Sequence, residues 1–205
     1  MMKEARYDKI ENYFTEETKK HCDRVTHYVE LLTKQLNILG VDQKVILAAA
    51  QIHDIGKYYI PDNILDAPRP LTRLEREVID MHAYYGYEAC KELNYGTEDV
   101  KELVLLHHGM NKYRKLKDNQ IGSFAKKYYP ILIAADMYDA LTSDRVYRKA
   151  LDRETALKII AEHSEVYHWV FTALEKVTKT GGLSAVWKPD IVFTALEKVT
   201  KGENL

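Results

Sequence analysis

Cysteine is nearly missing from this chain. Its two residues, Cys22 and Cys90, lie far apart and form no CxxC pair, which argues against a disulfide framework and leaves free thiols in a reducing compartment. Net charge is also missing: 30 Lys plus Arg stand against 31 Asp plus Glu, so no strong field draws a nucleic-acid polymer or an anionic membrane, and small ligands suit the balance better. No apolar run approaches the roughly 20 residues of a membrane span, and the start MMKEARYDKIENYF has no apolar signal core. A cytoplasmic protein is expected. No stretch alternates as a strand bounded by hairpin turns. At 205 residues the chain fits one domain, or one domain with an appendage.

What the sequence does have is helical periodicity. Val25, Val29, Leu32, Leu36 and Leu39 recur at helical spacing after an acidic turn at Glu16 and Glu17, with Gly40 as the expected stop. VDQKVILAAAQIHDIG reads as a second helix, with Asp42 as its cap and Gly56 at its end, apolar nearly all round and so central to a bundle. Thr72 and Glu75 form a capping box for a third, whose stripe of Leu74, Val78, Met81, Tyr85 and Ala89 is expected to face a core. Thr97 caps a fourth running to His108, with Gly109 as its stop. Pro130 suits the first turn of a fifth, PILIAADMYDALTSD, and Asp152 caps a sixth. The fold class is all-α: about five core helices and a helical tail.

The tail repeats itself. VFTALEKVTK occupies 170–179 and again 192–201. Two copies are too few for a solenoid, so a duplication or a rearranged gene end is the simpler reading, with an amphipathic surface helix or partner contact as the alternative. The organisation expected is a main domain over 1–165 and a C-terminal helical tail over 166–205.

Polar residues interrupt the apolar stripes at chosen places. His21 lies one turn before Val25 and one turn after Glu17; His53 and Asp54 end an almost wholly apolar run; His82 follows Val78 by a turn; His107 continues the Leu103 face, with His108 beside it; Asp136 and Asp139 lie close together in an apolar helix. Taken singly, each has an ordinary account, as a helix-end dipole contact or a hydrogen-bonded core residue. Taken together, five helices each bring His or Asp to an inner face. Imidazole plus carboxylate without cysteine suits Fe, Mn or similar ions better than a thiolate zinc site, with Mg, Ni, Co and Zn as lesser fits. A dinuclear centre is the economical reading. Lys57, just past Gly56, would place an ammonium beside it, and Arg145 and Arg148 would add phosphate-binding forks.

These residues resemble a known family. HDIGKYYIPDNIL, the upstream HCDRV, His82, the His107 and His108 pair, and ADMYDALTSDRVYRKAL look like the HD superfamily of metal-dependent phosphohydrolases, nearest its HD-GYP branch, whose characterised members hydrolyse cyclic di-GMP. The resemblance runs from about residue 15 to about residue 160. It implies a helical domain with two or three divalent ions, held by His21, His53, Asp54, His82, His107, His108 and Asp136, with Glu17 and Asp139 completing a third site in some members. It further implies Asp54 and Lys57 as catalytic residues, with Lys57, Arg145 and Arg148 at the substrate phosphate. The chemistry expected is attack of a metal-bridging hydroxide on a phosphoester of a nucleotide or cyclic dinucleotide; a homodimer is compatible with it.

The departures carry information too. The branch follows its paired histidines with glutamate and then a Gly-Tyr-Pro loop, whereas HHGMNKYRKLKDNQIG has neither, and Val146 stands in place of proline. The basic replacement loop, with Lys112, Arg114, Lys115 and Lys117, is a solvated loop or a contact for further phosphate. WKPDIV resembles the way family members end their last helix, which makes about 164–186 look inserted. A catalytically quiet HD module that binds a nucleotide or a partner protein is the rival to an enzyme.

Overall fold

The computed structural model describes residues 10–110, 120–144 and 148–179, and among these every regular element is an α-helix or a 3-10 turn. A 3-10 turn at Ile10–Tyr13 leads into α1 (Glu16–Gln35) and α2 (Gly40–Ile52); a second 3-10 turn (Ile55–Tyr59) and the short α3 (Asp62–Leu65) lead to α4 (Arg73–Asp80), α5 (His82–Glu92), α6 (Glu98–Leu106), α7 (Ser123–Thr142), α8 (Arg153–Ala161) and α9 (His168–Lys179). The expected all-α fold is present.

Helix α2 is the central rod. Ile46, Ala48, Ala49, Ala50 and Ile52 are wholly buried, and α1, α6 and α7 pack around it. Side chains this small let neighbouring helices come close on every side, which is what an apolar circumference is for. Three caps match expectation: the hydroxyl of Thr72 accepts from the N–H of Glu75 within a reciprocal capping box, Thr97 caps α6, and Asp152 accepts from the Thr155 N–H at the start of α8.

Several boundaries differ. Helix α1 ends before Gly40: Asn37 takes the left-handed conformation (φ 55°) and the Ile38 N–H bonds back to the Thr33 carbonyl at 2.8 Å, a Schellman stop that asparagine tolerates. Asp42 is not the cap of α2. It lies in the first turn and accepts a bond from the Tyr128 hydroxyl at 2.9 Å. The expected third helix is broken at Met81 into α4 and α5, and its leading stripe faces out, with Leu74 72% and Val78 37% exposed. Pro130 lies inside α7 rather than in its first turn; the ring removes one helical hydrogen bond, while burial of Ala125, Tyr128, Tyr129 and Ile131 around it holds the helix through.

Helix α9 carries the first copy of the repeat. Val170, Ala173 and Leu174 are buried against α1, α7 and α8, so this part of the stretch that looked inserted belongs to the packed body. The second copy lies outside the described residues.

Candidate metal centre

The centre lies where α1, the end of α2, the start of α5, the end of α6 and the middle of α7 meet. Gly56 brings two of these together. A Cβ there would fall 1.8 Å from the His82 carbonyl oxygen and 2.5 Å from the Gly86 nitrogen, so only glycine lets the turn after Asp54 rest on the backbone of α5. Its expected duty, ending a helix, is replaced by this close approach.

Three imidazoles are oriented by backbone. The Nδ1–H of His53 donates to the Ala50 carbonyl at 2.7 Å, that of His82 to Ile79 at 2.5 Å, and that of His107 to Val104 at 2.6 Å. Each residue follows a helix end or a helix break, where carbonyls stand without intrahelical partners. Fixing the proton on Nδ1 leaves a lone pair on each Nε2, pointing inward.

Those nitrogens converge. His82 Nε2 is 3.0 Å from His107 Nε2 and 3.1 Å from His108 Nε2, while His53 Nε2 is 3.3 Å from His21 Nε2. Lone pairs of His82 and His107 at such a distance repel unless a cation stands among them. Asp54 spans the two clusters: Oδ1 is 3.1 Å from His82 Nε2, and Oδ2 is 3.5 Å from His21 Nε2 and 3.6 Å from His53 Nε2. Asp136 Oδ1 joins the second cluster, 3.1 Å from His21 and 3.9 Å from His53. Ligand atoms of His82, His107 and His108, of His21, His53 and Asp54, and of His53, His107 and Asp136 form groups within 4.8 Å. The donor set therefore fits divalent metal, and its nitrogen and oxygen chemistry suits the ions expected.

Protonation follows the same design. Burial alone would raise the carboxyl of Asp54, yet Lys57, His53 and His82 hold it well below its ordinary range. Burial and the neighbouring imidazoles push His107 far down, and burial lowers His53. His53 and His107 are thus held neutral and Asp54 charged, as ligation requires. His21 is the exception: burial lowers it, but Asp136 and Asp139 outweigh that and raise it to about 9. Its imidazolium then balances charge in the metal-free protein.

The remaining expected residues divide. Lys57 stands at the centre, its Nζ 2.5 Å from Asp54 Oδ2. Asp139 is buried and bound to the His21 Nδ1–H at 2.7 Å and to Arg24 through two nitrogens at 2.7 and 3.0 Å. It thus faces His21 from the side away from the ligand groups, and it is in none of the three groups found among the described residues. Glu17 is exposed on the first turn of α1 and stands outside these groups. Arg148 is turned away: its guanidinium donates to the carbonyls of Ala140, Leu141 and Lys149. Carbonyls at the end of α7 take the fork expected for phosphate. Arg145, Val146 and the basic residues 112, 114, 115 and 117 lie outside the described residues.

Three residues went unassigned in the sequence. Arg24 follows His21 by one turn on the same face, which was signal enough. His163 and Glu165 were not readable, since they lie beyond about residue 160, where the resemblance ends. They help line a cavity of about 400 Å³ with His107, His108, Ile133, Asp136 and Met137, a size suited to part of a small ligand.

A family model for the HD domain matches residues 7–169. The 3'3'-cGAMP-specific phosphodiesterase 3 of Vibrio cholerae is 31% identical over 165 residues, covering 78% of this chain and 35% of that protein. The cyclic di-GMP phosphodiesterase response regulator RpfG of Xanthomonas campestris is 32% identical over 141 residues, 68% of this chain and 37% of its own. The chain thus spans little more than a third of these curated relatives. The HD domain of L. monocytogenes phosphodiesterase PgpH, solved with cyclic-di-AMP, shares the fold at TM-score 0.50 and 18% identity, over 90% of this chain and 89% of that one. Such relatives agree with the HD-GYP-like resemblance. A match that takes in the helices around a buried His53 and Asp54, shared by two imidazole clusters, makes this chain a member of the HD-domain family.

Proposed function

We propose that the chain is a metal-dependent phosphodiesterase acting on a cyclic dinucleotide or related nucleotide, with Fe or Mn as the ions. The observation that carries this reading is Asp54, a buried carboxylate standing between two sets of inward-facing imidazole nitrogens. His21, His53, Asp54 and Asp136 would hold one ion, and Asp54, His82, His107 and His108 the other. Bound there, divalent ions supply a water of lowered pKa and offset the charge of a phosphodiester.

The protein's own groups do the rest. Asp139 and Arg24 hold the His21 ring, and the carbonyls of Ala50, Ile79 and Val104 hold three others, so the site is set before a substrate arrives. Lys57 stays cationic: burial lowers its pKa, but Asp54 outweighs that and raises it. Its ammonium can donate to a phosphoryl oxygen as charge grows there. Asp54 can orient the water that adds to phosphorus, while one P–O ester bond breaks and the sugar oxygen leaves as a hydroxyl. The activities for which the relatives are named, on cyclic di-GMP and 3'3'-cGAMP, support a cyclic dinucleotide as the first substrate to try.

The test is an anaerobic preparation loaded with Mn(II) or Fe(II) and offered cyclic di-GMP, 3'3'-cGAMP, cyclic-di-AMP and a nucleoside monophosphate. Linear product from one of them, abolished in Asp54→Ala, is expected. Full metal loading with tight nucleotide binding and no turnover would establish the quiet binding module instead.

A further inference from the structure

His108 differs from the other ligands in its support. It stands past the end of α6, where Gly109 has φ 94° and its N–H bonds to the Leu106 carbonyl at 2.7 Å. The backbone that follows is held from elsewhere. Glu165 Oε2 accepts the Met110 N–H at 2.7 Å. The same carboxylate lies directly over Gly109, where a Cβ would be 2.3 Å from Oε1 and 2.7 Å from Cδ. A side chain from the approach to α9 thus fills the space that any residue but glycine would take.

Glu165 is itself well placed to act as a brace. It is 8% exposed, and its own N–H approaches His163 Nδ1 at 3.4 Å. The Tyr129 hydroxyl of α7 lies beside it: burial, and bonds to Tyr167 and Glu165, push that phenol above its ordinary range. Tyr129 and Tyr167 meet at 3.0 Å. The carboxylate therefore links α7 and the start of α9 to the residues after His108, on the wall of the cavity that His107, His108 and Asp136 also line.

We propose that Glu165 is a positioning residue for the metal centre, fixing the backbone after His108 so that its imidazole meets His82 and His107 in one coordination sphere. The inference rests on the metal-site reading above. Outer partners of this kind set ligand direction, and their loss weakens metal binding by roughly 10–100-fold. Its route of action is the Met110 N–H and the space over Gly109.

The experiment is titration of the chelator-stripped full chain with Mn(II), followed by calorimetry, alongside circular-dichroism melts without metal. Glu165→Ala is expected to weaken the ion bound by His82, His107 and His108 by roughly 10–100-fold, whereas Glu165→Gln, which keeps an oxygen for the Met110 N–H, stays within about threefold of wild type. Glu165→Asp keeps the charge but draws the carboxylate back by one methylene, and it too should bind more weakly; it carries the test if the alanine variant does not fold. Wild-type affinity in Glu165→Asp, or in a folded Glu165→Ala, overturns the proposal, as does a fall in metal-free melting temperature with metal affinity unchanged. If the wild-type chain takes up no ion, the metal-site reading fails and this inference with it; if wild type binds and the variants bind equally, this inference fails alone.

Discussion

At the residue scale, the centre is a problem of buried charge. Asp54 and Asp139 are each about 2% exposed at the side chain, and each is tolerable only because a cation or an imidazole faces it. In the metal-free protein His21 meets part of that need. Its folded pKa of about 9 exceeds the ordinary 6.5, so its stabilising contribution is full below 6.5 and is lost as pH rises through about 9. The depressed carboxylates act with opposite sign: Asp54 and Asp139 contribute above the ordinary carboxylate range and lose that contribution on acidification. Chelated protein is therefore expected to melt at progressively lower temperature from about pH 7 to about pH 10, and protein saturated with Mn(II) to show a smaller decline because the ion replaces the proton. Parallel melts with and without chelator would measure this; identical alkaline slopes would contradict it. The ligand types were legible in sequence because a carboxylate at the end of an apolar helix has few other uses. The destination of Arg148 was not, since nothing local distinguishes a guanidinium facing phosphate from one bonded to the end of the preceding helix.

At the scale of elements, the site depends on one contact between a turn and a helix. The sequence shows Gly56 after His53-Asp54-Ile55, and glycine near an expected helix end has an ordinary meaning as a stop. Its actual role is set by α5, far along the chain, whose backbone comes too close for any Cβ. Caps made within four residues, as at Thr72, Thr97 and Asp152, were readable because both partners lie in one short stretch; the Gly56 contact was not, because its partner is distant. The break at Met81 has the same origin. The start of α5 is fixed by where Gly56 and the centre need His82, so α4 is left with its apolar stripe outward. Gly56→Ala is expected to cost about 1–3 kcal/mol through overpacking and to weaken metal binding by parting Asp54 from His82. Urea unfolding together with Mn(II) titration would check both. A folded variant with unchanged affinity would mean that the turn can shift without moving Asp54.

For the whole molecule, the duplicated tail decides how much chain the domain needs. Identical sequences at 170–179 and 192–201 give no local basis for choosing which of them packs, and the likeness of WKPDIV to a family helix end made about 164–186 look inserted. Context selects otherwise. The residues leading into the first copy include Glu165, whose bond to Met110 ties the approach to α9 onto the metal-site wall, and Arg153 of α8 bonds to Thr178 and to the Glu175 carbonyl at 3.1 and 2.8 Å. Leu174, wholly buried, then becomes the discriminating residue. Leu174→Ala should cost about 2–5 kcal/mol, the range for emptying a packed core site, while Leu196→Ala, the same change in the second copy, should leave the denaturant midpoint close to wild type. If the two substitutions exchange their effects, the groove between α1, α7 and α8 is filled by the second copy in solution, and Glu165 would then have to reach Met110 without the support of α9.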